Sequence, residues 1–276
     1  MKISLRDLAV RHAGGPRTAI GALRSISLEV DAGEAVAVIG PSGAGKTTLL
    51  EAIACAHRPA AGRIALDGCD PWRLAARELR RLRARLFLAP QAPPLPPRQR
   101  VVTSVLAGRL PAMGLARSLR SLLAPDDVPA AFAALERFGL GDKLFERVDR
   151  LSSGERQRVG LARALVSPAT LWLVDEPLSA LDPTRARDAA AVLLERAGER
   201  RITLIVSLHQ VDMALDRFPR IVGLRAGRVA FDLPVAEVTK ALLDALYAPL
   251  DLELPGAPAD ASGGEAPSGR VAIGFR

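Results

Sequence analysis

The chain has 276 residues, 49% apolar and 25% charged, enough for a sizeable core in one large or two small domains and incompatible with wholesale disorder. Lys and Arg number 38 against 30 Asp and Glu, a net charge of +8, and 34 of the 38 are Arg; this balance favours phosphate-bearing partners as a class without naming one. Cys55 and Cys69 alone cannot build a disulfide framework or a four-ligand zinc site, no run of about 18 apolar residues offers a membrane span, and Arg6, Asp7 and Arg11 sit where a secretory signal needs an apolar core, so a cytoplasmic protein is expected.

In chain order, Ile3 to Val10, Leu23 to Val30, Ala35 to Ile39 and Arg63 to Leu66 read as strands, punctuated by Gly14-Gly15, Asp31-Ala32-Gly33 and Asp67-Gly68. A helical run, Thr48 to Ala56, follows the third strand. Later strands, Leu86 to Ala89, Leu171 to Val174, Ile202 to Val206 and Ile221 to Leu224, alternate with helical patterns such as Glu155 to Val166 and Arg185 to Gly198. That alternation predicts an α/β fold with a mostly parallel sheet, preceded by an antiparallel β region. Between Val101 and Arg150 the pattern is helical without a convincing strand, with Ala130 to Phe138 the clearest amphipathic stretch, and it reads as a helical insertion. After Tyr247 the composition turns to Pro, Gly, Ala, Ser and acids, and the tail 248–276 is expected to be disordered.

Gly40-Pro41-Ser42-Gly43-Ala44-Gly45-Lys46-Thr47 matches the phosphate-loop pattern, directly after a predicted strand and directly before the helix that Thr48 opens. The glycines let backbone N–H groups turn inward, the helix N-terminus adds partial positive charge, Lys46 reaches terminal phosphates and Thr47 offers a hydroxyl to Mg²⁺. A plain flexible turn is the bland alternative, and the strand and helix on either side argue against it. Leu171-Trp172-Leu173-Val174-Asp175-Glu176 is an apolar strand ending in two acids. Such a pair can be a solvated turn, but beside a phosphate loop Asp175 can hold the metal and Glu176 can polarise water. Leu151-Ser152-Ser153-Gly154-Glu155 reads first as a capping box at a helix start, and the same exposed amides and hydroxyl also suit a phosphate oxygen.

With these segments in hand, residues 1–247 resemble the ATP-binding subunits of ABC transporters. Five elements carry the resemblance in order: the loop Gly40 to Thr47, Gln91 after a strand, Leu151 to Glu155, Asp175-Glu176 followed by Ser179-Ala180-Leu181-Asp182, and His209 after a strand. The resemblance implies a P-loop ATPase with a RecA-like core, a helical subdomain near 101–166, and ATP and Mg²⁺ as ligands. It implies a composite site between two head-to-tail copies, each ATP lying between one loop and the partner's Ser152, Ser153, Gly154 and Glu155, with Asp182 near the interface. Thr47, Gln91 and Asp175 would surround the metal or its waters, Glu176 would be the general base or water positioner, and His209 would touch the γ-phosphate as a sensor of ATP versus ADP. His12 stands where an aromatic usually stacks on adenine, and Ser153 where Gly is usual. Pro90, Pro93, Pro94, Pro96 and Pro97 stiffen the segment around Gln91, and this reads as a rod-like coupling surface.

Five further stretches resemble the phosphonate-importer type, Leu208-His209-Gln210-Val211-Asp212 most of all; the others start at Arg77, Val105, Ala134 and Gly223. This implies a membrane permease dimer, an extracytoplasmic phosphonate-binding protein and a place at the cytoplasmic face of the membrane, with phosphite, phosphate or another oxyanion as alternative cargo. A nucleic-acid-associated ABC ATPase is the runner-up, suggested by Arg73, Arg77, Arg80, Arg81, Arg83 and Arg85. A solvated helix face explains that run more simply, and no nucleic acid is expected. A stand-alone kinase would leave the Ser152 segment without a role.

Overall fold

The computed structural model describes residues 1–11, 22–123 and 125–249. His12 and the predicted tail from 250 onward lie outside the described residues. The strands are β1 (Ile3–Val10), β2 (Leu23–Val30), β3 (Ala35–Ile39), β4 (Ala61–Leu66), β5 (Leu86–Ala89), β6 (Leu171–Asp175), β7 (Thr203–Ser207), β8 (Arg220–Arg225) and β9 (Arg228–Pro234). The helices are α1 (Lys46–Ile53), α2 (Ala76–Arg83), α3 (Val101–Leu106), α4 (Leu115–Leu123), α5 (Val128–Glu136), α6 (Ser153–Val166), α7 (Pro183–Glu199), α8 (Val211–Arg217) and α9 (Lys240–Tyr247).

Six strands form one sheet in the order β5-β6-β7-β3-β8-β9, parallel except for β9 at the edge, and β2-β1-β4 form a separate antiparallel sheet. The central strands are apolar on both faces because both are covered. Val36 and Val38 of β3, with Leu171 and Leu173 of β6, join a core shared with α1 and the antiparallel sheet. Their alternates Ala37, Ile39, Trp172 and Val174 join a second core with α3, α5, α6, α7 and α8. Arg220 ties the two sheets together: it pairs with Glu34 before β3 at 2.9 Å and Asp232 of β9 at 2.7 Å, and donates to the Glu29 carbonyl of β2 at 2.8 Å.

The strand β9 was not among the predicted ones. It follows β8 through a tight turn in which Ala226 and Gly227 have φ of +48° and +76°, the left-handed pair that a two-residue hairpin needs. Helix boundaries also move. α6 and α7 begin two residues earlier than the periodicity suggests, because Ser152 and Asp182 cap them and Pro183 opens α7 at its first position. α1 spans Lys46 to Ile53 rather than 48–56, since Cys55 turns to φ +59° and ends it. The described residues of the 101–150 stretch are helical as expected, with short 3₁₀ turns between α3 and α4 and between α5 and α6.

Of the arginines between 73 and 85, three are engaged within the fold. Arg73 pairs with Asp70, Arg83 donates to the Cys55 carbonyl, and Arg85 pairs with Asp67 at 2.6 Å.

Candidate nucleotide site

The loop from Gly40 to Gly45 joins β3 to α1 at the carboxyl end of the parallel strands, the edge where open α/β sheets bind ligands. Gly40 and Gly45 are required by their surroundings. A Cβ on Gly40 would lie 2.0 Å from the Leu224 carbonyl oxygen, and one on Gly45, at φ +102°, would lie 2.8 Å from that of Ala22. Gly45 is also the N-cap of α1 and supplies no side-chain acceptor, so the first-turn amides are left for an external anion.

Lys46 is 5% exposed, and its ammonium donates to the Gly40 and Pro41 carbonyls at 2.9 and 3.3 Å. Burial pushes its pKa down, against the charges of Glu176 and Asp175. Gly40 and Pro41 thus serve Lys46, while Ser42, Gly43, Ala44, Gly45, Lys46, Thr47 and Thr48 line a cavity of about 310 Å³ with Gln91, Glu176 and His209.

Glu176 is the hub of that cavity. Gln91 Nε2 donates to its Oε2 at 2.9 Å, His209 Nε2 lies 2.6 Å from its Oε1, and the Lys46 ammonium lies 3.9 Å from Oε1. Its backbone adopts φ +45°, an uncommon conformation for a side-chain-bearing residue. Asp175 is only 4% exposed and sits behind Thr47, whose hydroxyl donates to Oδ2 at 2.8 Å. These are two hard oxygens of the kind Mg²⁺ takes together with phosphate and water, so Thr47 and Asp175 fit that ion.

One participant has no sequence signature. Ser207, the last residue of β7, stands opposite Asp175 in the parallel register, donates to Asp175 Oδ1 at 2.5 Å and accepts the Glu176 amide at 2.9 Å. It fixes both acids at once. The signal available in sequence was only its place at a strand end two residues before His209.

Ser152, Ser153, Gly154 and Glu155 do not reach this cavity within one chain. They form the start of α6 as a reciprocal capping box: Glu155 Oε2 accepts the Ser152 amide at 2.7 Å, and Ser152 Oγ accepts the Glu155 amide at 3.2 Å. The Ser152 amide holds the Glu155 carboxyl below its usual pKa. Gly154 packs beside the Ala180 carbonyl, where a Cβ would come within 3.0 Å, and Asp182 caps α7 through the Arg185 amide at 3.0 Å. Pro93, from the proline-rich segment, lies over Gly160 of α6; a Cβ on Gly160 would approach Pro93 Cγ to 2.7 Å. Among the described residues no helix is long and apolar enough to cross a membrane.

Known proteins resemble this chain over most of its length. The profile described as ABC transporter matches residues 23–179. The chain is 63% identical over 248 residues to the phosphonates import ATP-binding protein PhnC of Polaromonas sp. (strain JS666), covering 90% of each chain. It is 56% identical to phosphonates import ATP-binding protein PhnC 2 of Pseudomonas aeruginosa (strain UCBPP-PA14), covering 90% of this chain and 91% of that one. Among solved structures, the ATP-binding cassette MJ0796, described as a dimer in a post-hydrolysis state bound to ADP and Pi, superposes with a TM-score of 0.71 at 26% identity, covering 84% of this chain and 98% of the other. By motif order, fold and relatedness over most of its length, the chain belongs to the ABC transporter family.

Proposed function

We propose that this chain is the ATP-hydrolysing subunit of an importer for phosphonate or a closely related phosphorus oxyanion. The observation that carries the reading is the meeting of Lys46, Gln91, Glu176 and His209 around one cavity, with Asp175 behind Thr47, in a chain 63% identical to a phosphonate import protein.

The chemistry follows from the side chains. A phosphate oxygen accepts the N–H of the Lys46 ammonium that the Gly40 and Pro41 carbonyls leave free, and the uncapped amides of α1 complete an anion cradle. Thr47 and Asp175 would hold Mg²⁺, with Gln91 nearby; the ion polarises the phosphate oxygens when bound. Glu176, its carboxylate fixed by Gln91 and His209, accepts a proton from the attacking water. The water oxygen bonds to the terminal phosphorus as the bridging P–O bond breaks, the electron pair leaves with ADP, and the proton passes from Glu176 to solvent. His209, held against Glu176, is placed to report whether that terminal phosphate is present.

The Ser152 to Glu155 segment takes no part in its own chain's cavity, which supports a site completed by a second copy. A head-to-tail dimer on a two-fold membrane permease, at the cytoplasmic face, with an extracytoplasmic binding protein selecting cargo, accounts for this arrangement. Closure on ATP and reopening after hydrolysis would move the permease between its two accessibilities.

The test is ATPase activity of the chain reconstituted with its permease and binding protein. Stimulation by a phosphonate, phosphite or phosphate is expected. Stimulation by an unrelated cargo, with none by any phosphorus oxyanion, would overturn the substrate class, and absence of Mg²⁺-dependent ATP turnover would overturn the enzyme reading.

A further inference from the structure

A cleft of about 720 Å³, larger than the nucleotide cavity and sharing no residue with it, lies at the C-terminal end of α6. The 14 residues of α6 separate it from the Ser152 capping box by about 20 Å. Five arginines line it, Arg109 from the turn after α3, Arg117 of α4, Arg137 after α5, Arg196 of α7 and Arg200 just beyond, against one acid, Glu199. Its floor is apolar, built from Ala130, Ala134, Leu165 and Val166.

The arginines are held in place without being used up. Arg109 reaches Asp127 at 2.7 Å, Arg137 reaches Glu195 at 2.8 Å and Arg117 reaches Asp126 at 3.3 Å, in each case through one nitrogen. Those three carboxylates are not part of the cleft lining and steady the guanidinium groups from outside, whereas Arg196 pairs inside the cleft with Glu199 at 2.8 Å, again through one nitrogen, so the lining stays basic with five arginines against one acid. Arg200 Nη1 donates to the carbonyls of Leu165 and Ser167 at 3.3 and 3.0 Å, while its other nitrogens have no protein partner among the described residues. A guanidinium carries five N–H donors, so most of the donors converging on the cleft remain available. Burial and the neighbouring Arg196 charge both press the Arg200 pKa downward, an arrangement that an anion relieves.

We propose that this cleft is a second anion site, taking a small organic phosphate or phosphonate whose oxyanion sits among Arg137, Arg196 and Arg200 and whose apolar part lies on the alanine and leucine floor. The volume lies in the range of small-molecule sites, and a planar fork of donors suits tetrahedral oxyanions. A ligand here bridges the helical stretch carrying Arg109, Arg117 and Arg137 to α7, so it links two parts of the fold far from the phosphate loop.

The test is calorimetric titration of phenylphosphonate into the full chain saturated with Mg²⁺ and ADP, which occupies the nucleotide cavity. Saturable one-to-one binding is expected, weakened about tenfold by Arg137→Gln and by Arg196→Gln, the equivalent of one charge-assisted hydrogen bond. Both side chains are 42% exposed, so unchanged melting curves and ADP affinity are expected, and Arg6→Gln on the distant antiparallel sheet serves as control. In a second arm the chain is floated with phosphatidylglycerol or phosphatidylcholine vesicles. Capture by the former alone, lost in the same two variants, identifies a lipid head group as the source of the oxyanion. Absence of saturable binding in both arms, or binding indifferent to Arg137→Gln and Arg196→Gln, overturns the site.

Discussion

Ser207→Ala is a sharp test of how the two acids are held. The substitution removes the 2.5 Å hydrogen bond to Asp175 Oδ1 and the acceptor for the Glu176 amide. The second loss is minor, because the same amide also reaches the Ser207 carbonyl at 3.2 Å, which the variant keeps. The first is not, because Asp175 is 4% exposed and only Thr47 is left to bond its carboxylate. A hydrogen bond to a buried charge contributes about 1.5–3 kcal/mol, so roughly 2 kcal/mol is at stake. Felt in the transition state, that is about 30-fold in kcat/KM; felt in the folded state, it is a drop of about 4–8 °C in Tm for a domain of this size. Phosphate release measured across a Mg²⁺ series separates the two, since a positioning loss raises the Mg²⁺ concentration for half-maximal activity while a stability loss does not. Changes under about twofold in kcat/KM and in Mg²⁺ dependence would refute the idea that Ser207 positions Asp175.

Glu176→Gln should lower turnover by at least about 100-fold while keeping ATP binding, and should trap an ATP-bound dimer by size-exclusion chromatography; an active variant would sink the general-base assignment. Gly45→Ala forces a Cβ to 2.8 Å from the Ala22 carbonyl at φ +102°, so nucleotide affinity and Tm should both fall, whereas a variant that binds nucleotide normally by calorimetry would contradict this crowding. Replacing Pro93, Pro94, Pro96 and Pro97 with Ala should reduce transport-coupled ATPase activity more than the activity of the isolated chain, and equal effects on both would refute a coupling role for this stiff segment. Asp127 is held below the usual carboxylate pKa by its Arg109 hydrogen bond and the Ala130 amide. Its contribution to stability is therefore complete above about pH 4 and lost as the pH falls through the lowered value. Asp127→Asn should flatten that acid limb of the Tm profile, and an unchanged limb would disprove the assignment.

The parts of the site legible in the sequence are those whose chemistry is local. The Gly40 to Thr47 loop, the acids ending β6 and the Ser152 to Glu155 box each carry their own geometry within a few residues, and a strand or helix beside each gives it a direction. The convergence of Gln91, Glu176 and His209 is reached only through the family resemblance, because segments 85 and 33 residues apart meet only when β5, β6 and β7 align. Ser207 is invisible for the same reason: its partner is chosen by parallel register, which periodicity does not encode. β9 escapes because an edge strand, half polar and ending in Pro234, lacks the apolar run of a central one. The arginine cleft likewise draws on four separate segments, and nothing in any of them singles out its arginines from the rest of an Arg-rich chain.

The Lys46 ammonium has three N–H donors and two carbonyl partners, Gly40 and Pro41. One donor is left over, so a phosphate oxygen can bond the ammonium without displacing either carbonyl. The two carbonyls hold the ammonium in place, so little side-chain freedom remains to be lost when an anion binds. The backbone at the end of β3 thus positions the side chain that completes the loop, and main chain and Lys46 act as one preorganised anion receptor.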